Sequence, residues 1–337
     1  MGKVATILDV AREAGVSKTT AVFILTGRPG FQAAEATRSR VRDAAQRLGY
    51  RRSGLARAIS TGRIYTVGVV LRLESMSLGS TPLGVYAKDV LAACAHACTL
   101  AGLRITLIPF PFEGTLAVEE VVDRRVDGLI LVSLYDDTFS QQVYASGCPT
   151  VTIGSGYAER LIELDQQGGV RQATEHLLQR GHQRIVHVLG ENRGSRACEE
   201  RQAGYVEAMQ AAALMPLCLT YSEAVASLEL PDSERPTAIV AYNDGYAWQL
   251  TNVARGIGLR VPEDLSLIGF DNNVLAETAF PPLTTVENPL DLQAQGALKA
   301  LQCLWQGTEP LKSAPIPTRL IVRQSTAAPY LSPPKEL

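Results

Sequence analysis

The 337-residue chain has no run approaching the roughly 18 consecutive apolar residues that span a bilayer. Its first residues, Met1-Gly2-Lys3-Val4-Ala5-Thr6, lead into an amphipathic pattern and lack the apolar core of an export signal. A cytoplasmic protein with no membrane partner is therefore expected. The GxxxxGK(S/T), HExxH and GxSxG patterns are all absent, and His96, His176, His182 and His187 have no nucleophile beside them in sequence. Catalysis is not expected. The six cysteines (Cys94, Cys98, Cys148, Cys198, Cys218, Cys303) form no CxxC pair. Cys94 and Cys98 stand four apart around His96, too few ligands for a metal, so buried free thiols are expected. No metal and no cofactor is implied.

What is present is ordinary in composition but uneven in charge. Apolar residues are 46% and charged residues 20%, enough for two or three packed units. The whole chain carries −2, yet the first 62 residues hold eleven Lys and Arg against four Asp and Glu. A head near +7 sits on a body near −9, which suggests a polyanion for the head alone.

Local patterning gives the head a form. Thr6-Ile7-Leu8-Asp9 reads as a capping box, and Ile7, Val10, Ala11 and Ala14 make an apolar stripe that Gly15 ends. Ser17 caps a second helix, Lys18 to Leu25. Two short helices joined by so tight a turn form a helix-turn-helix, whose second helix enters a major groove. A third helix fits Ala34 to Leu48, with Val41, Ala44, Ala45 and Leu48 inward. Arg38, Arg40, Arg42 and Arg47 lie on its outer face and suit phosphate contacts. Ser53 could cap a further short helix presenting Leu55 and Ile59.

The strings DVAREAGVSKTTA, ATRSRVRDAAQRLGY and LARAIS resemble the head of the lactose-repressor/galactose-repressor (LacI/GalR) family. The resemblance implies that Lys18, Thr19 and Phe23 fall where major-groove bases are read. Thr6, Ser17 and Thr20 match phosphate-contact or capping positions. Ile59, with Ala56 beside it, matches a wedge that a short hinge helix drives into the minor groove on an operator. Three departures stand out. Val22 and Phe23 replace polar residues, Arg52-Ser53 replaces Pro-Asn, and the loop 27–33 is about two residues longer than is usual. Phe23 can touch a thymine methyl but cannot pair with guanine, and packing into the three-helix core is its other reading.

From Tyr65 onward, strand-like and helix-like segments alternate in two rounds. Such βα alternation predicts parallel sheets covered on both faces, in two lobes with a ligand between them at the strands' carboxyl ends. RRVDGLILVS, ATEHLLQRGHQRIVHVLG, ERQAGY, NDGYA, GLRVPEDLSLIGFDN, PPLTTVENP and TRLIVRQST resemble the same family's effector domain. The fold expected is thus an all-α helix-turn-helix head plus an α/β, two-lobed, periplasmic-binding-protein-like effector domain. Residues 1–50 form the DNA-binding domain, 51–62 the hinge, and 63–330 the effector and dimerisation domain. Its lobes are 63–160 with 288–318 and 161–287 with 319–330, crossing near Arg160, Glu287 and Thr318.

By the resemblance, Arg201, Asn243 and Asp271 align with residues of the ligand cleft, and Tyr86 falls where an aromatic stacks on the ligand. A surface salt bridge for Arg201 and a helix cap for Asn243 or Asp244 are the plainer readings. The match is weak over 72–85, where Arg72 or Glu74 near the cleft would alter its charge preference. No heptad tail follows Pro329, so a homodimer is expected, its two heads spaced for a pseudo-palindromic operator. The reading that follows is a transcriptional repressor set by a small carbohydrate-like effector. A periplasmic-type binding protein without specific DNA readout is the competing one.

Overall fold

The computed structural model describes residues 5–28, 30–51, 62–72, 83–111, 116–134, 136–154 and 156–329. The chain divides into two compact units, Met1–Ile64 and Tyr65–Leu337.

The first unit is helical. Helix α1 (Ile7–Ala14) begins with the full capping box: Thr6 Oγ1 accepts from Asp9 N at 3.3 Å and the Asp9 carboxylate accepts from Thr6 N at 2.9 Å. Gly15 ends it at φ +63°, a left-handed turn that costs glycine nothing. Ser17 caps α2 (Lys18–Thr26), accepting from Thr20 N at 3.1 Å. Helix α3 (Glu35–Arg47) closes the bundle. Val10, Ala11, Ala14, Ala21, Ile24, Val41 and Ala44 form its core. Leu48 differs from the expectation: it lies past the last helical turn and is 36% exposed, and Tyr50 packs on the core instead.

The second unit holds two α/β/α lobes. The first sheet, in spatial order β2-β1-β3-β4-β5, comprises β1 (Thr66–Arg72), β2 (Arg104–Phe110), β3 (Gly128–Val132), β4 (Thr150–Ile153) and β5 (Leu161–Ile162). All its pairs are parallel, and the fully buried strands β3 and β4, with the largely apolar β1, follow from cover on both faces. One face packs on α4 (Leu83–Leu100) and α12 (Leu290–Trp305), the other on α5 (Val118–Val121) and α6 (Asp137–Ala145).

The second sheet runs β11-β10-β9-β8-β6-β7, from β6 (Ile185–Val188), β7 (Leu217–Leu219), β8 (Ala238–Val240), β9 (Ser266–Asp271), β10 (Thr284–Glu287) and β11 (Arg319–Ile321). Only the β10–β11 pair is antiparallel among them. Helices α7 (Gln166–Gln179) and α8 (Arg196–Ala211) cover one face. The other carries α9 (Tyr221–Ser227), α10 (Asp244–Gly256) and α11 (Val274–Thr278).

Three short segments join the lobes. The first crossing begins after Ile162, two residues past Arg160, because Leu161–Ile162 add a fifth strand to the first sheet. It runs beside the last crossing: Leu164 bridges Ile316, and Thr318 Oγ1 donates to Asp165 O at 2.9 Å. The middle crossing is Asn288-Pro289, between β10 and α12. All six cysteines are free thiols. No helix among the described residues is long and apolar enough to cross a membrane.

Candidate functional sites

The carboxyl ends of the strands in both lobes open on one cleft. Tyr86, Arg201, Asn243 and Asp271 all line it, together with Arg72, Ser133, Gln166, Tyr242, Asn288 and Gln293. Glu74 lies outside the described residues.

Arg201 is a cleft residue and not a surface ion pair. It projects from α8, 5% exposed, with its guanidinium carbon 3.7 Å from the Phe270 ring centroid and 4.6 Å from that of Tyr242. Its Nε donates to Gln166 Oε1 at 2.8 Å and Nη1 donates to Tyr242 O. Two aromatic faces and two acceptors thus fix the plane of the fork.

Asp271 ends β9 with φ +106°, a conformation that costs a non-glycine residue about 1–3 kcal/mol. Burial pushes its pKa up, while Arg201 and the Asn288 side chain pull it down. Asn288 Nδ2 donates to Asp271 Oδ1 at 3.1 Å, and Asn288 Oδ1 accepts from Gln293 Nε2. A line of polar groups therefore runs from Gln293 on α12, through the middle crossing, to Asp271 in the other lobe.

Asn243 serves both of its readings. Its Oδ1 caps α10 by accepting from Tyr246 N at 2.9 Å, and the residue still faces the cleft. Asp244 turns away, fully buried, accepting from Asn273 N at 2.8 Å and from Thr285 Oγ1. Burial, with Asp271 nearby, pushes its pKa up to about 8. Tyr86 stands at the first-lobe wall, its hydroxyl beside Gly154: a Cβ added there would sit 3.0 Å from that oxygen. The chemistry on offer is a cationic fork, a carboxylate, several amides and aromatic faces, which suits a ligand rich in hydroxyls. No histidine or cysteine lines the cleft among the described residues, and no group of three or more metal-ligating side chains occurs among them.

Sequence reasoning missed Gln166, Tyr242, Asn288 and Gln293. Asn288 and Gln166 follow crossings, one after β10 and the other just after the cap Asp165, so better placement of the crossings would have marked them.

On the head, Ser17, Lys18 and Thr19 are exposed at the start of α2, and Thr6 is exposed at the start of α1. Thr20 is half-buried, its hydroxyl 2.9 Å from that of Ser17. Phe23 is half-buried but outside the three-helix core; its ring meets Phe31 edge-on, 5.1 Å between centroids. Arg38 is half-buried and engaged by the loop: its Nε and Nη2 donate to Ala33 O and Phe31 O, at 3.2 and 3.1 Å. Ala56 and Ile59 lie outside the described residues.

Comparison with known proteins meets both units. The family model of bacterial regulatory proteins, lacI family, matches residues 6–53, and a periplasmic binding protein-like domain matches 174–326. The chain is 32% identical to the HTH-type transcriptional regulator CelR of Thermobifida fusca, over 95% of this chain and 98% of the relative. A solved transcriptional regulator CelR–cellobiose complex matches 95% of this chain and 99% of its own, at 30% identity and TM-score 0.65. The lac repressor dimer bound to operator and the anti-inducer ONPF shares the fold, with TM-score 0.82 at 24% identity. That likeness covers 97% of this chain and 100% of the other.

Proposed function

The chain belongs to the lacI family of bacterial regulatory proteins, and from that premise we propose how this transcription regulator divides its work. Its head binds a two-fold operator as half of a homodimer, and a carbohydrate in the cleft sets the strength of that binding. The observation that carries the effector half is the buried Arg201 fork held open to the cleft opposite Asp271. Such a pair, rimmed by amides and aromatic rings, orients vicinal hydroxyls. The similarity to a regulator solved with cellobiose supports a sugar.

In this reading Arg201, Asn243, Asp271 and Tyr86 hold the effector. Lys18, Thr19 and Phe23 meet bases, Thr6, Ser17 and Thr20 meet phosphates, and Ala56 with Ile59 wedge the minor groove at the operator centre. Residues 1–50 are the reading domain, 51–62 the hinge and 63–330 the sensor. The lacI match over 6–53 speaks against a binding protein without DNA readout.

Coupling follows from linkage. A ligand that prefers one arrangement of the lobes shifts the population toward it, and about 1.4 kcal/mol of differential binding changes operator affinity tenfold. The test has two stages. Fragmented DNA from the protein's own source is incubated with it, and the bound pieces are sequenced to find a palindrome. Cellobiose and other small sugars are then titrated by calorimetry and added to the operator complex. A recovered palindrome whose affinity changes with a binding sugar is the expected result. Saturation by sugar with no change in operator affinity would sink the coupling, and no heat from any sugar would sink the carbohydrate assignment.

A further inference from the structure

Phe23 and the lengthened loop after α2 were separate oddities in the sequence; in the structure they are one feature. Arg28 N donates to Phe23 O at 3.1 Å, and Phe31 N donates to Arg28 O at 3.2 Å, so the chain turns back onto the helix it has left. The turn brings Phe31 edge-on against the Phe23 ring and lays the Arg28 guanidinium over its face, 4.4 Å from the centroid. Arg38 fastens the far side of the loop through the carbonyls of Phe31 and Ala33. The arrangement is therefore clamped from α3 and does not rest on the stack alone.

Three properties come together at Arg28. It is exposed, whereas Arg38 is committed to the loop carbonyls. It forms no ion pair with a carboxylate among the described residues, whereas Arg12, Arg42 and Arg47 pair with Asp9, Glu35 and Glu13. And it is tied to the outward side of α2, because that helix buries Ala21 and Ile24 and leaves Phe23 off the core. With its carbon 4.4 Å over the ring centroid, the guanidinium still has N–H groups that neither the ring nor a carboxylate among the described residues takes up, and a fork of such donors is what a bidentate acceptor requires.

We propose that Phe23 and Arg28 read DNA as one unit, Phe23 meeting a thymine methyl and Arg28 the O6/N7 edge of a neighbouring guanine in each half-site. The phenyl ring supplies an apolar contact and a platform, and the loop returns the bidentate donor that a phenylalanine lacks. This assignment rests on the reading of the head as an operator-binding surface.

The experiment uses the full-length protein and a pool of random-sequence duplexes, with bound DNA recovered and sequenced for the wild type, Arg28→Ala, Arg28→Lys and Phe23→Leu. The wild type should enrich a palindrome with a guanine next to a thymine in each half. Arg28→Ala should lose about 5- to 100-fold of discrimination at that guanine and leave the other positions intact. Arg28→Lys keeps the charge but not the fork, and should lose nearly as much. Phe23→Leu should weaken both adjacent preferences; should it melt early, the two variants of exposed Arg28 decide the matter. Uniform weakening of all sequences by Arg28→Ala, with the motif unchanged, would reduce Arg28 to a phosphate contact and overturn the proposal. Failure of the wild type to enrich any motif would overturn the operator reading, and this inference with it.

Discussion

Arg201 and Asp271 face one another in the cleft with their nearest nitrogen and oxygen 3.9 Å apart, and both side chains are less than a tenth exposed. That separation is too long for a hydrogen bond. The reason lies in how each is held. Gln166 and Tyr242 O draw the guanidinium one way, and Asn288 holds the carboxylate from the other side. Two buried opposite charges kept from closing on each other leave hydrogen-bonding capacity that a polar ligand can take up.

The first expectation concerns these two groups. Arg201→Gln or Asp271→Asn should weaken effector binding about 10- to 100-fold, the range for losing a hydrogen bond to a charged group. Ligand-free DNA binding should persist, because the head carries its own core. Calorimetry with the sugar and gel shifts with the operator separate the two effects. Parallel loss of both activities would point to misfolding and against the site.

The second expectation concerns Asn288, which links Asp271 in one lobe to Gln293 on α12 of the other. Replacing it with leucine strands a Gln293 amide that is 2% exposed, a burial cost of about 1–3 kcal/mol. The double variant Asn288→Leu, Gln293→Leu removes both partners and should recover part of that stability in urea titrations. If the double variant is less stable by the sum of two independent losses, the two amides do not act as a pair.

Buried titratable groups tie the stability of the second lobe to pH in opposing senses. His176 and His187 are buried, which pushes both pKa values down to about 4 from 6.5, with Arg180 beside one and Arg201 near the other adding to the effect. Both are therefore neutral when folded, while the unfolded chain takes up protons below pH 6.5. Their contribution is complete above pH 6.5 and drains away as pH falls toward 4. Asp244, raised to about 8, works in the opposite sense, losing stability as pH rises from about 4 toward 8. The comparison between variants is thus the informative one. On going from pH 7 to pH 5, the urea midpoint of His176→Gln, which retains a partner for Thr326 Oγ1, should gain on that of the wild type. Identical slopes would mean that His176 does not contribute.

How far the sequence could be read depended on whether the signal was local. Thr6 with Asp9 and Ser17 with Thr20 are contacts three residues apart, and a capping box declares itself in four letters. The apolar runs of β1 and β3 likewise announce strands buried on both faces. The small strand β5 left no such mark: two half-buried residues gain their place only from β4 beside them. The cleft amides were hidden for the same reason, since Gln166 and Arg201 are 35 residues apart, on α7 and α8, and meet only once those two helices pack side by side on the second sheet. Phe23 lay between two readings because its neighbour is set by a loop whose path depends on Arg38, fifteen residues further along.

Arg38 and Arg40 carry the last expectation, since they sit two residues apart on α3 and the sequence gives them the same role. Arg38 donates from Nε and Nη2 to the carbonyls of Ala33 and Phe31, so Arg38→Ala should unfasten the loop and destabilise the head. Two lost hydrogen bonds from a charged group set the scale at about 2–4 kcal/mol, trimmed by the site's partial exposure. Arg40 is exposed and forms no ion pair among the described residues. If it meets a phosphate, Arg40→Ala should leave the melting temperature unchanged and make the plot of log affinity against log salt shallower by about one unit. Thermal melts and operator titrations from 50 to 200 mM salt, at about the range where such slopes are read, distinguish them. A full salt slope in Arg40→Ala would remove Arg40 from the DNA surface. An unchanged melt in Arg38→Ala would mean that the loop holds its place without the clamp, and that the Phe23–Phe31 contact alone suffices to seat it.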